Sequence, residues 1–173
     1  MDIENPKIPP NSIDSEQSVL GGLLLHNDSW DNVVNIISSD DFYQASHRII
    51  YDAIVILLEH DKPADILTVK EQVIKTHDEE SIGGFAYLAQ IAENTPSVSN
   101  IDAYAKHVRE LSIFRQLIKI GRELADTAFH PKDIEVNNLL DLSERKIFEI
   151  AEQVSRNKQE ITNVKDIIKD VVN

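Results

Sequence analysis

The 173 residues, 42% of them hydrophobic, suffice for one globular domain with an appendage. The absence of cysteine excludes disulfide and thiol chemistry, argues against a zinc site and fits a reducing compartment. The net charge of −13 sits entirely in the first part: residues 1–104 hold 5 Lys/Arg and 18 Asp/Glu, residues 105–173 hold 12 of each, and a surface that acidic repels phosphate backbones and serves solubility first.

Only five glycines and few alternating β-branched runs speak against a sheet, and the chain reads as helices almost throughout. The acidic opening Met1 to Pro6 is not a signal peptide. The longest purely apolar run, Ala53 to Leu58, is far short of a membrane span. Pro6, Pro9 and Pro10 make an extended lead-in. Ser12 or Asp14 is a candidate N-cap, with Gln17 placed as in a capping box after Asp14. Leu20, Leu23 and Leu24 share one helical face. Gly21-Gly22 costs about 1 kcal/mol per glycine relative to alanine in mid-helix. Close approach of another helix would explain the pair.

A second helix is predicted from about Asp28 to Ile37, with Trp30, Val33, Val34 and Ile37 apolar. A broad, central one begins near Ala45 and ends before Lys62-Pro63. Asp65 and Thr68 cap the next, which carries Val69, Val73 and Ile74. His77 to Ser81 is a charged loop, and Gly83-Gly84 opens a helix with Phe85, Leu88 and Ile91 that Thr95-Pro96-Ser97 breaks.

The most informative segment follows. A helical stretch from Ile101 to Phe129, about 43 Å long at 1.5 Å per residue, is joined across His130-Pro131-Lys132-Asp133 to a second one, Val136 to Val154. Leu111, Phe114, Ile118, Gly121, Ala125 and Ala128 recur at alternating spacings of three and four. So do Val136, Leu140, Ser143, Ile147, Ile150 and Val154. These are the expected seams of a helical hairpin, with Gly121, Ala125 and Ala128 allowing close approach. Leu117, Leu124, Leu139, Leu142 and Phe148 fall outside the seam. Either they finish the hairpin core or they form a second apolar face for another chain.

Ser155 to Asn163 reads as a polar linker. Val164, Ile167, Ile168 and Val171 then follow an i, i+3, i+4, i+7 pattern on a helix too short to be stable alone. That stripe needs a dock, so the chain reads as the front part of a longer protein. The predicted fold class is all-α: a globular helical bundle followed by a long helical hairpin. The expected division is a lead-in over 1–11, a globular subdomain over 12–104, the hairpin over 105–154, and over 155–173 a linker with the start of a docking helix.

Catalytic constellations are absent or weak. No glycine is followed by lysine, so there is no phosphate loop. Asp40-Asp41 reads as a cap rather than an acid/base pair. The six histidines, His26, His47, His60, His77, His107 and His130, lack metal-ligand spacing. His47 reads as a hydrogen-bonded structural residue. Arg115, Lys119 and Arg122 form a basic stripe whose default reading is a solvated face, against contact with a phosphate or an acidic partner.

Several short signatures occur in order: Ser-Val-Leu-Gly-Gly-Leu-Leu-Leu (18–25), Asp-Phe-Tyr (41–43), His47 with Ile50-Tyr51, and Asp65 with Thr68-Val69. After them come Gly-Gly-Phe-Ala-Tyr-Leu (83–88), Thr-Pro-Ser (95–97), Asn-Ile-Asp-Ala-Tyr-Ala (100–105) and Ile-Phe-Glu-Ile-Ala-Glu (147–152). Together, over about residues 9–173, they closely resemble the N-terminal domain of the bacterial replicative DNA helicases of the DnaB type. Two departures stand out: Ser143 where the family usually has alanine, and an unusually acidic loop 77–81.

The resemblance implies an all-helical scaffold and docking module. In that family hairpins pair into the collar of a ring-shaped hexamer, a trimer of dimers, and the collar receives a DnaG-type primase. A helicase loader is a further candidate partner. The linker helix, here Val164 to Val172, docks on the motor domain of a neighbouring subunit. ATP with Mg, strand translocation and most DNA contact belong to that motor domain, in a cytoplasmic, ATP-dependent helicase. For this piece the resemblance implies no catalytic, cofactor or metal site. The alternative reading is a stand-alone helical nucleic-acid-binding protein, which the acidic first part disfavours.

Overall fold

A computed structural model describes residues 7–95, 98–131 and 134–171, with side chains as far as Val154 except at position 98. Every regular element among these residues is helical: α1 Ile13–Leu25, α2 Trp30–Val33, α3 Ala45–Glu59, α4 Ile66–Val73, α5 Gly84–Glu93, α6 Ile101–Ala128 and α7 Val136–Val171, with four short 3-10 turns between them. The chain divides into two units, Met1–Ser112 and Ile113–Asn173.

In the first unit the sequence pattern and the packing agree at most points. Ser12 caps α1 by accepting from the Ser15 amide at 3.3 Å, and Asp14 and Glu16 lie in its positive first turn. The Asp14–Gln17 box does not form; the Gln17 amide instead donates to the Tyr87 hydroxyl at 3.0 Å. The helix expected over 28–37 shrinks to a 3-10 turn, Asn27–Ser29, and the single turn α2. Asn, Asp and Ser in this stretch hydrogen-bond locally, as where the Asn35 amide donates to the Asp31 carbonyl at 2.8 Å, and such bonds compete with regular helix. Asp65 caps α4, accepting from the Leu67 and Thr68 amides at 2.9 Å while Thr68 Oγ1 accepts from the Asp65 amide at 2.8 Å. Glu79–Ile82, expected as loop, is a 3-10 turn. It ends at Gly83, whose φ of +79° is open to glycine at little cost.

The core of this unit gathers Val19, Leu20 and Leu23 of α1, Ile50 and Ile54 of α3, Val69 of α4, Leu88 and Ile91 of α5 and the foot of α6, around Phe42. Gly21 shows why α1 needs a glycine pair: a Cβ there would lie 1.9 Å from Thr95 Oγ1 and 2.6 Å from the Ile91 carbonyl oxygen. The carbonyl belongs to α5 backbone and cannot swing aside. Gly21→Ala is therefore expected to lower stability by about 2 kcal/mol, the usual scale of overpacking, although alanine is the better helix former. Urea unfolding checks this; a variant as stable as the parent would show that α1 and α5 part freely.

The second unit holds most of α6 and all of α7. The α7 backbone is helical to Val171, so the segment 155–163, expected as a polar linker, continues the hairpin helix. The side chains of Val164, Ile167, Ile168 and Val171 lie outside the described residues.

Candidate interaction surface

Two kinds of feature could carry function: a buried polar cluster in the first unit and an apolar surface on the second. The cluster centres on Glu16, which is 2% exposed. Its carboxylate accepts from the Tyr43 amide at 2.6 Å and the Gln44 amide at 3.3 Å, and lies 2.6 Å from His47 Nδ1. His47 Nε2 in turn meets the Tyr87 hydroxyl at 2.7 Å, with the two rings stacked. Glu16 thus fixes the segment leading into α3 from another helix and orients a fully buried histidine. The cluster closes on itself, and its chemistry is that of a clamp between α1, α3 and α5.

A second buried carboxylate sits three residues before Gln44. Asp41 accepts from the Ser38 amide at 2.8 Å and from Arg109 of α6 at 2.6 Å. It is the capping residue of the sequence reading, with an ion pair added. Tyr51 lies close by; burial, with Asp41 and Asp52 adding to it, pushes its phenol well above the ordinary range, and its hydroxyl donates to the Ile37 carbonyl. Among the described residues, no group of three or more His, Asp or Glu is arranged to hold a metal, and no helix is long and apolar enough to cross a membrane.

The second unit differs from its sequence reading in which face it turns inward. Phe114 is 57% exposed, Val136 74%, Leu140 62% and Ile147 52%, and Ile118 and Val154 are exposed as well. These belong to the expected seam, of which Ile150 is buried and Leu111 and Ser143 are half-buried. The helices meet instead across Glu123 and Lys146, which are ion-paired, with Ile120 and Ile150 beside them. The Lys146 ammonium bonded to Glu123 holds that carboxyl below its ordinary range. Between the helices lies a cleft of about 270 Å³, lined by Gln116, Lys119, Ile120, Glu123, Lys146, Glu149, Ile150 and Gln153. A helix with two candidate stripes does not reveal in its sequence which one faces its neighbour; here Ile150 is buried, the charged pair bridges the helices at a partly exposed edge, and most of the apolar stripe is left outside. Gly121 confirms the correction, since a Cβ there would meet nothing within 4 Å, and Ala125 and Ala128 are exposed too. They mediate no close approach within the hairpin.

The five residues expected outside the seam separate. Leu117, at 42%, and Phe148, at 62%, are exposed. Leu124, Leu139 and Leu142 are half-buried and give part of their area to the hairpin itself. Ser143 donates to the Leu139 carbonyl at 2.6 Å, so its hydroxyl is satisfied within α7. In the basic stripe Lys119 lines the cleft and Arg122 is exposed. On α6 the outer surface runs Phe114, Leu117, Ile118 and Gly121 at i, i+3, i+4 and i+7, which is one continuous face. An exposed apolar face of this kind is a candidate contact surface.

Comparison with known proteins agrees with the fold. The family model described as DnaB-like helicase N terminal domain matches residues 8–110. The replicative DNA helicase DnaB of Pasteurella multocida is 39% identical over 170 residues, covering 98% of this chain and 36% of its own length. The replicative DNA helicase DnaC of Bacillus subtilis is 36% identical over 167 residues, covering 96% and 36%. The chain thus spans about a third of the length of these curated relatives. The crystal structure of the N-terminal domain of DnaB helicase from Mycobacterium tuberculosis superposes with a TM-score of 0.77 at 30% identity, over 82% of this chain and 99% of that one. A DnaB-like replicative helicase, solved for its interactions with primase, shares the fold with a TM-score of 0.65 at 19% identity over 80% of this chain and 31% of that one. With its family signatures in order, its helical body matched and its hairpin following, this chain belongs to the DnaB-like helicase N-terminal domain family.

Proposed function

We propose that this chain is the assembly and docking domain of a replicative DNA helicase. Two copies pair through their hairpins, burying Phe114, Leu117, Ile118, Val136, Leu140, Ile147 and Phe148 between them. Three such pairs form the collar of a hexamer at the replication fork, and the collar receives a DnaG-type primase, with a helicase loader as a further partner. Val164, Ile167, Ile168 and Val171 form the stripe by which the end of α7 docks on a neighbouring motor domain. ATP, Mg and most DNA contact belong to that motor, in the cytoplasm; this chain supplies geometry and binding surface.

The observation that carries the reading is the apolar stripe on the outside of the hairpin, led by Phe114 at 57% exposure and Leu140 at 62%. Fully burying one such side chain contributes about 1.5–3 kcal/mol, and a two-fold pair counts each residue twice. Sedimentation equilibrium over a concentration series tests it. The mass should rise from 19.6 kDa toward at least twice that value. A mass that stays at the monomer value throughout would overturn pairing through the hairpin.

A further inference from the structure

The first unit keeps an apolar surface of its own, on the side of α4 that its core does not use. Val69 and Val73 of this helix are buried in the core. Leu67 is 63% exposed, and Ile74, which extends α4 in helical conformation, is 52% exposed. The two stand seven positions apart, two turns along one helical face, with Lys70 and Glu71 between them. Phe85, at the start of α5, is 40% exposed and adjoins this face: the Lys70 ammonium sits 5.4 Å from the centre of its ring. The same ammonium pairs with one Glu79 oxygen at 3.1 Å, and the other Glu79 oxygen accepts from the Phe85 amide at 3.1 Å. One carboxylate thus ties α4 to the first turn of α5, and the apolar surface spans both helices.

Charge decides what such a surface takes. Asp65 to Phe85 holds five Asp or Glu against two Lys, and Lys70 is already paired with Glu79. Residues 1–104 as a whole carry 18 Asp/Glu against 5 Lys/Arg. A second copy would bring the same acidic rim and meet like-charge repulsion. Phosphate backbones are repelled as well. A helix with apolar side chains two turns apart and lysine or arginine beside them satisfies both the shape and the charge. We infer that the α4–α5 face is a docking surface for a basic amphipathic helix of another protein. Leu67, Ile74 and Phe85 are its apolar floor, and the exposed Glu71 and Glu80 belong to its charged rim. The surface lies wholly in the first unit, so the inference does not depend on pairing through the hairpin.

The test uses the full chain and a synthetic peptide of leucine and lysine in amphipathic helical order, about four turns long. A leucine–glutamate peptide of the same order is the comparison. Calorimetry measures binding, and amide chemical shifts locate it. The leucine–lysine peptide should bind and move the amides of α4 and the first turn of α5; the leucine–glutamate peptide should not bind. Leu67→Ser with Ile74→Ser removes most of the floor without adding charge. It should raise the dissociation constant about tenfold or more, the scale of one well-buried anchor lost. Glu71→Lys reverses part of the rim and should weaken binding severalfold. These positions are exposed, so circular dichroism of the variants should match the parent. Should the double variant lose helix content, Glu71→Lys carries the comparison. A parent that leaves the leucine–lysine peptide unbound would overturn the inference. So would a folded variant of either kind that binds it as tightly as the parent, the mark of diffuse attraction to the acidic surface. Concentration-dependent shifts confined to Leu67, Ile74 and Phe85 without peptide would put a second copy on the surface and overturn it too.

Discussion

Glu16→Ala should be the most damaging single change in the body of the protein. The side chain is 2% exposed and serves two backbone amides and a histidine ring. Its removal leaves those donors without an acceptor in a place water does not reach, and it empties a cavity between α1 and α3. Leaving buried donors without an acceptor costs about 1–3 kcal/mol each, about 3–5 kcal/mol for this set. For a body of this size that is a fall of about 12–20 °C in the unfolding midpoint. Glu16→Gln should lose less, because its amide oxygen still serves one donor. Thermal and urea unfolding by circular dichroism measure both. An alanine variant within about 1 kcal/mol of the parent, the value of an ordinary neutral hydrogen bond, would show that water or a shifted neighbour replaces the carboxylate.

Glu16 also marks a limit of sequence reading. In the chain it is one acid in the first turn of a helix, where the macrodipole alone would explain it. Its partners are 27 to 31 residues away, and no local pattern announces them. His47 was legible as a structural histidine because it borders an apolar helical face, but its carboxylate was not. Local signals with local consequences read well: the Asp65–Thr68 cap, the Leu20, Leu23 and Leu24 face, and the glycine pair that admits α5 against α1. The stretch 28–37 read too regularly, because its Asn, Asp and Ser residues satisfy backbone groups one turn at a time.

The hairpin was legible as a hairpin and illegible as to its faces. Period identifies a stripe; it does not say whether the stripe meets the next helix of its own chain or another chain. Ile150 is buried between the helices, Glu123 and Lys146 pair at its partly exposed edge, and the outside keeps Phe114, Ile118, Leu140 and Ile147. The sequence reading named Leu117 and Phe148 for an outer face, and both are exposed. It places the seam residues inside; Ile150 is buried there, while Phe114, Ile118, Val136, Leu140, Ile147 and Val154 are exposed. Departures of this kind are expected where a surface is kept for a partner, since the isolated chain then violates its own burial rule.

Pairing through that outer stripe is the central claim, and Phe114→Asp tests it most directly. Phe114 is already exposed in the single chain, so its loss should leave the folding of the monomer nearly unchanged. In a two-fold pair two phenylalanines disappear from the interface and two carboxylates enter it. At about 1.5–3 kcal/mol for each lost side chain, the dissociation constant should rise about 100-fold or more. Ile74→Asp, at a comparably exposed site on the body, is the control and should associate like the parent. The deciding measurement is sedimentation equilibrium of parent, Phe114→Asp and Ile74→Asp side by side, with circular dichroism on the same samples. The expected result is a Phe114→Asp variant that stays monomeric with full helix content, beside an associated parent and control. A Phe114→Asp variant that associates as tightly as the parent would contradict the account.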